Sequence, residues 1–175
     1  MAVTKVEIKA RQLFAGGESF GDVGPYEQLD GVVHFTVDPD NPANETITDL
    51  ELAPRDERGL VSFSSDFRML RPVDPGRGNR RILLDILNRG KALALRNINS
   101  APEVVPGAPL DPGNGFLMRQ GYTVVWCGWQ HDVPDVPGVL RIYGPDALNH
   151  GEPISGAIVV TIQPNAPSQV QFLSD

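Results

Sequence analysis

The sequence predicts a mixed α/β, mainly β chain: a β-rich N-terminal region, one βαβ crossover and a C-terminal β segment. Three observations carry this expectation. Glycine (18) and proline (16) are abundant among the 175 residues, which favours turns and short elements over a helical bundle. Stretches towards both ends alternate apolar and polar side chains with the period of two that marks a strand. In the middle, two nearly continuous apolar runs, 81 to 87 and 122 to 126, flank two helix candidates. Strands apolar on both faces belong at the covered centre of a parallel sheet.

Taken in order, Val6-Glu7-Ile8 reads as a short opening strand. From Gly31 to Val37, Val33, Phe35 and Val37 share one face and Val32, His34 and Thr36 the other. Thr46 to Leu52 alternates too, grouping Thr48, Leu50 and Leu52, and so predicts a strand. Leu60–Phe63 and Asp66–Leu70 predict a strand pair or one bent strand. Turn clusters rich in proline, aspartate and glycine separate these runs, as an antiparallel sheet or sandwich requires. In "RILLDIL" (81–87) only Asp85 interrupts the apolar run; "YTVVW" (122–126) has no charge. The helix candidates between them are Ala92–Arg96 and Phe116–Gln120, the second closed by Gly121. Residues 81–87 and 122–127 are therefore expected as parallel neighbours joined by a helical crossover. Beyond Val139 the alternation returns at Leu140/Ile142, Ile158–Ile162 and Val170/Phe172.

The length suits one domain with a real core. A net charge of −7 argues against nucleic acid or an anionic membrane as partner, since both demand a basic face. No stretch approaches the roughly 20 apolar residues that span a bilayer, and no signal-peptide pattern opens the chain. One cysteine, Cys127, permits no internal disulfide. The expected location is the cytoplasm, with export by other routes left open.

Gly17-Glu18-Ser19-Phe20-Gly21 matches the G-x-S-x-G pattern of serine hydrolases, whose nucleophile sits on a strand-to-helix turn. Here Asp22, Gly24 and Pro25 follow, which is turn chemistry, so Ser19 is read as a turn serine. Asp38, Asp40, Asn41, Asn44 and Asp49 are spaced somewhat like a calcium loop. Ala43 and Asp49 stand where an EF-hand needs glycine and glutamate, so Asx-type turns are expected. No zinc spacing is present, and neither a metal nor another cofactor is expected. Trp126 and Trp129 read as core and pocket-wall residues, and Cys127 as a small buried hydrophobe. His131, Asp132 and Asp135 follow the second apolar run, where α/β sheets line their ligand crevice, but they read first as a hydrogen-bonded loop. Asn88-Arg89-Gly90 follows the first run. One reading makes it a plain strand-to-helix turn. The other makes it a loop whose glycine lets a backbone N–H approach a ligand closely, as in an oxyanion hole.

Four segments carry a resemblance: "GPYEQLDG" (24–31), "DLELAPR" (49–55), "LNRGK" (87–91) and "GNGFLMRQGYTVVWCGWQ" (113–130). With them the chain, from about Val6 to Asp175, resembles the N-terminal part of a family of large bacterial alpha/beta-hydrolase domain proteins. The resemblance implies that the "NRG" and "GYTVVWCGW" strands are the third and fourth strands of a hydrolase sheet. Residues 79–133 would then be a partial α/β-hydrolase-like core between β-rich regions at 1–78 and 134–175, in a single incomplete domain. It implies a serine hydrolase acting on a small-molecule ester or amide in the intact parent. The nucleophile elbow, acid and histidine of family members lie beyond the last residue here. The chain is therefore expected to be an N-terminal fragment, without a catalytic residue of its own and inactive alone. Asn88, Arg89 and Gly90 become oxyanion or cleft candidates, and Trp129, His131 and Asp132 cleft-lining ones. An incomplete sheet exposes an edge, so self-association is expected. The alternative is a β-rich binding or interaction module without chemistry.

Overall fold

A computed structural model describes residues 1–157, 159–164 and 166–167. Its centre is one six-stranded mixed sheet. Strands β1 (Ala2–Leu13), β2 (Tyr26–Val37) and β3 (Val61–Pro72) form an antiparallel meander. Strand β4 (Ile82–Asp85) leads through helices α1 (Ala94–Asn99) and α2 (Phe116–Arg119) to β5 (Thr123–Cys127). The strand order is β1-β2-β3-β5-β4, and β4 and β5 are parallel, as the two apolar runs predicted. Strand β6 (Ile142–Tyr143) pairs with β3 beyond the end of β5. Strands β7 (Leu148–Asn149) and β8 (Glu152–Pro153) form a separate hairpin.

Because β3 bonds to β5, the β-rich N-terminal region and the crossover share one sheet rather than forming a sandwich. The core lies on the face the helices cover. There Leu70, Val124, Trp126 and Leu87 pack with Leu95, Leu117 and Met118. Tyr26 is fully buried among them, its hydroxyl donating to the carbonyls of Met118 (3.1 Å) and Tyr122 (2.9 Å). That burial raises the Tyr26 pKa.

Four expectations are corrected. The opening strand is not three residues but twelve, because its bulges between Val3/Lys5 and Ile8/Ala10 break the period of two. Gly31 sits at the second bulge, where a Cβ would lie 2.0 Å from the Glu7 carbonyl oxygen. Thr46–Leu52 is not a strand. Turns run through it into a 3₁₀ turn at Leu50–Leu52, with Asp49 in the left-handed region (φ 56°). Only Leu50 of the supposed apolar face is buried. The first helix starts at Ala94 rather than Ala92, because the turn at Asn88–Lys91 and the Asp85 carboxylate set its beginning. Finally, β4 is not covered on both sides: Ile82, Leu84 and Ile86 are 69, 55 and 65 % exposed.

Of the C-terminal β segment, the described residues show three strands of two residues each, and 159–162 adopt none. Ile158, Val170 and Phe172 lie outside the described residues.

Candidate functional site

At the carboxyl end of β4 the chain turns sharply. Asn88 and Lys91 exchange two backbone hydrogen bonds, of 3.3 and 3.0 Å. Between them Arg89 (φ 51°) and Gly90 (φ 76°) are both left-handed, which is the backbone of a type I′ turn. Glycine adopts this freely; arginine does so under strain of about 1 kcal/mol or more. Gly90 is buried, and a Cβ there would lie 2.4 Å from Val139 Cγ1 and 2.9 Å from the Leu140 carbonyl oxygen.

The turn is held from the second apolar strand. Gln130 accepts the Arg89 N–H through Oε1 (2.9 Å). The Arg89 guanidinium donates to the Asp132 carboxylate (2.6 Å) and backbone carbonyl (2.9 Å). That hydrogen bond, against a smaller opposing effect of burial, holds the Asp132 carboxyl below its ordinary range. Trp129 donates its indole N–H to the Leu87 carbonyl (2.8 Å) while its ring stays 55 % exposed. His131 is exposed and serves through its carbonyl, which accepts from Arg141 Nη2 (2.7 Å).

The candidates from the two apolar runs are thus brought together: Arg89 meets Asp132, and Trp129 meets the strand end leading into Asn88. Asn88 is exposed and contributes only its backbone to the turn. The Arg89 N–H is taken by Gln130. The Gly90 N–H has no acceptor among the described residues, and its carbonyl accepts from Leu140 (3.0 Å). Of the triplet, Gly90 is therefore the one placed to offer a backbone donor. No hydroxyl or thiol bonds to the His131 imidazole among the described residues, so the cluster can polarise or position a ligand but carries no assembled nucleophile.

Three contributors escaped the sequence reading. Asp85 looked like a mere interruption, yet its Oδ2 accepts from the backbone of Leu93 (2.8 Å) and Ala94 (2.7 Å) and from Trp126 Nε1 (2.6 Å). It ties the strand, the start of α1 and the core tryptophan together. A lone charge inside an apolar strand was the available signal. Gln130 and Arg141 carried no such signal. Of the two tryptophans, Trp126 is the core residue and Trp129 is half-exposed. Cys127 is half-buried, with Sγ 3.3 Å from Ser65 Oγ, so it is not simply a buried hydrophobe. Ser19 bridges to Pro25, is exposed, and precedes a three-residue 3₁₀ turn, not a helix. The Asx turns expected near Asp38 form through Asp38 Oδ1 and Asn41 Oδ1. No helix among the described residues is long and apolar enough to cross a membrane. Compared with protein-family models, with curated proteins and with solved structures, the chain finds no match in any of the three.

Proposed function

We propose that this chain is the N-terminal part of a serine ester or amide hydrolase of the α/β-hydrolase type, supplying scaffold and one oxyanion donor. The observation that carries the reading is the buried Gly90, whose N–H has no acceptor among the described residues, at the carboxyl end of a strand that runs parallel to its neighbour. Loops at that end border the crevice of α/β sheets. In acyl transfer, a donor there stabilises the negative charge that develops on the carbonyl oxygen. The nucleophile, its base and the orienting acid would come from further polypeptide.

The bare flank of β4 supports the same reading. Among the described residues its outer edge is unpaired, and Ile82, Leu84 and Ile86 present an apolar row to water. A further strand and a covering layer would bury both. Without them, the chain by itself is expected to self-associate through this edge.

The test is an active-site serine probe, a fluorophosphonate, on this chain and on a longer polypeptide that contains it. Labelling of a serine outside residues 1–175 in the longer polypeptide, with none in the chain alone, supports the proposal. In that polypeptide Gly90→Ala, which cannot keep the turn, should lower turnover by about 10²–10³ with little change in KM. Arg89→Gly, which keeps the turn and relieves its strain, should not. Labelling of the chain alone at Ser19 overturns the reading.

A further inference from the structure

On the sheet face opposite the helices, β2 and β3 end in a second, smaller core of Val37, Leu50 and Val61, with Phe63 and Ala53 against it. Residues 47–53 close over the sheet there, and they leave a cavity of about 280 Å³ whose walls include Val37, Leu50, Val61, Phe63, Ile142 and Ala147. We propose that this cavity binds a small apolar amine, its hydrocarbon body between Val61 and Leu50 and its ammonium at Asp49. The site is separate from the hydrolase reading and stands without it.

Size and lining fix the body of the ligand. An enclosed apolar cavity of roughly 150 Å³ takes a benzene ring; this one opens to solvent on one side. The cavity here is nearly twice that, room for a ring with a short alkyl chain. One wall is stiff: Phe63 stacks on Phe35 with centroids 4.8 Å apart and planes 9° from parallel. Pockets of this kind, apolar with one or two polar groups at the rim, are the usual form of a small-molecule site.

Charge fixes the other end. From Asp38 to Glu57 the covering segment holds seven acidic residues and one basic residue, so most of the chain's net −7 is concentrated there. Arg55 is engaged by Asp40, and Asp56 by Arg58. Asp49 and Thr48 line the cavity, and neither side chain has a hydrogen-bond partner among the described residues. Met1 lies at the mouth, but no ion pair joins its α-ammonium to Asp49 among the described residues. Asp49 is also held in the left-handed region, a conformation that costs an aspartate little. An ammonium finds a charge-assisted acceptor there; a carboxylate meets repulsion.

Three compounds with one body and different ends test this: 3-phenylpropylamine, 3-phenylpropan-1-ol and 3-phenylpropanoate. They are titrated into the whole chain while the Val61 methyl and Phe63 ring resonances are followed by NMR. The amine should bind tightest, the alcohol about threefold more weakly, as expected for an exposed charge pair, and the acid weakest. Asp49→Asn should bring the amine down to the alcohol. Ala147→Phe, or Ile47→Phe if the first variant unfolds, should fill the mouth and abolish binding of all three at unchanged Tm. The proposal fails if none of the compounds shifts Val61 or Phe63, or if the acid binds as well as the amine. It fails too if Asp49→Asn leaves the amine preference intact, or if binding survives the filled mouth.

Discussion

The two edges of the sheet are finished in opposite ways. Strand β1 has twelve residues, two bulges, and Lys5, Lys9 and Arg11 along it. These are the devices that keep a free edge from pairing with another chain. Strand β4 has four residues, no bulge and no proline. Its one charge, Asp85, is turned inward to α1 and Trp126, and its outward side chains are isoleucine and leucine. The first edge is built to remain an edge. The second has the composition of an interior strand, yet among the described residues no strand pairs with its outer side.

The attachments differ as well, which sets the order of expected effects. Strand β4 pairs with β5, and the Asp85 carboxylate ties it to α1 and the core tryptophan. Asp85→Ala strands the N–H groups of Leu93, Ala94 and Trp126 and should cost about 4 kcal/mol, since each unmet donor costs about 1–3 kcal/mol. Urea unfolding followed by tryptophan fluorescence measures it, and a loss below ~1 kcal/mol would mean that the pairing with β5 holds β4 without that carboxylate.

The meander has its own buried carboxylate, Glu27, 3 % exposed and clasped by Arg11 and by Arg71, the latter at 2.7 Å. Burial opposes its charge, but the hydrogen bonds and charges of Arg71 and then Arg11 outweigh that and hold its pKa below the ordinary value. A lowered folded pKa means the stabilisation is complete above the unfolded pKa and is lost as pH falls through the folded one. Stability should therefore drop as pH descends below the ordinary carboxylate range. Glu27→Gln should cost about 2 kcal/mol at neutral pH and flatten that acid limb. An unchanged acid limb in the variant would remove Glu27 from the account.

Lysine placed on each edge compares the two directly. Leu84→Lys should abolish concentration-dependent association of the isolated chain in sedimentation velocity, at a stability change within ~0.5 kcal/mol. Ile8→Lys on β1 should leave association as it was. If the β1 variant is the one that dissociates the chain, the contrast between the edges is wrong. The smallest effect is expected just beyond β1, where Ser19→Ala should alter neither stability beyond ~0.5 kcal/mol nor any probe labelling.

The sequence spoke most clearly where local pattern and burial agree. The pair 82–85 and 123–127 was legible because a run apolar on both faces has few other uses. Gly121 marked the end of α2 because φ 75° suits glycine. Strand β1 was largely hidden, since the lysines and arginine that protect an edge also erase the alternation that identifies a strand. Thr46–Leu52 misled because a 3₁₀ turn beside a left-handed aspartate can mimic a period of two over a few residues. The uncovered face of β4 was unreadable in principle: an apolar side chain states what it prefers, not whether that preference is met. That the candidate cluster comes together was legible by position, since both triplet and tryptophan follow sheet strands, while the contacts of Asp85 and Gln130 needed the third dimension.

The pairing of β3 with β5 has a consequence for synthesis. Phe67 finds its partner in Cys127, sixty positions later, whereas β2 and β3 can pair as soon as both have emerged. At about 5–20 residues per second, the ribosome needs about 3–10 s to travel from the end of β3 to β5. During that interval the flank of β3 that β5 will occupy has only water for its backbone groups, and the Tyr26 hydroxyl waits for carbonyls not yet made. The nascent meander is most adhesive then, so slowing translation between residues 73 and 122 should raise the share of newly made chain that aggregates.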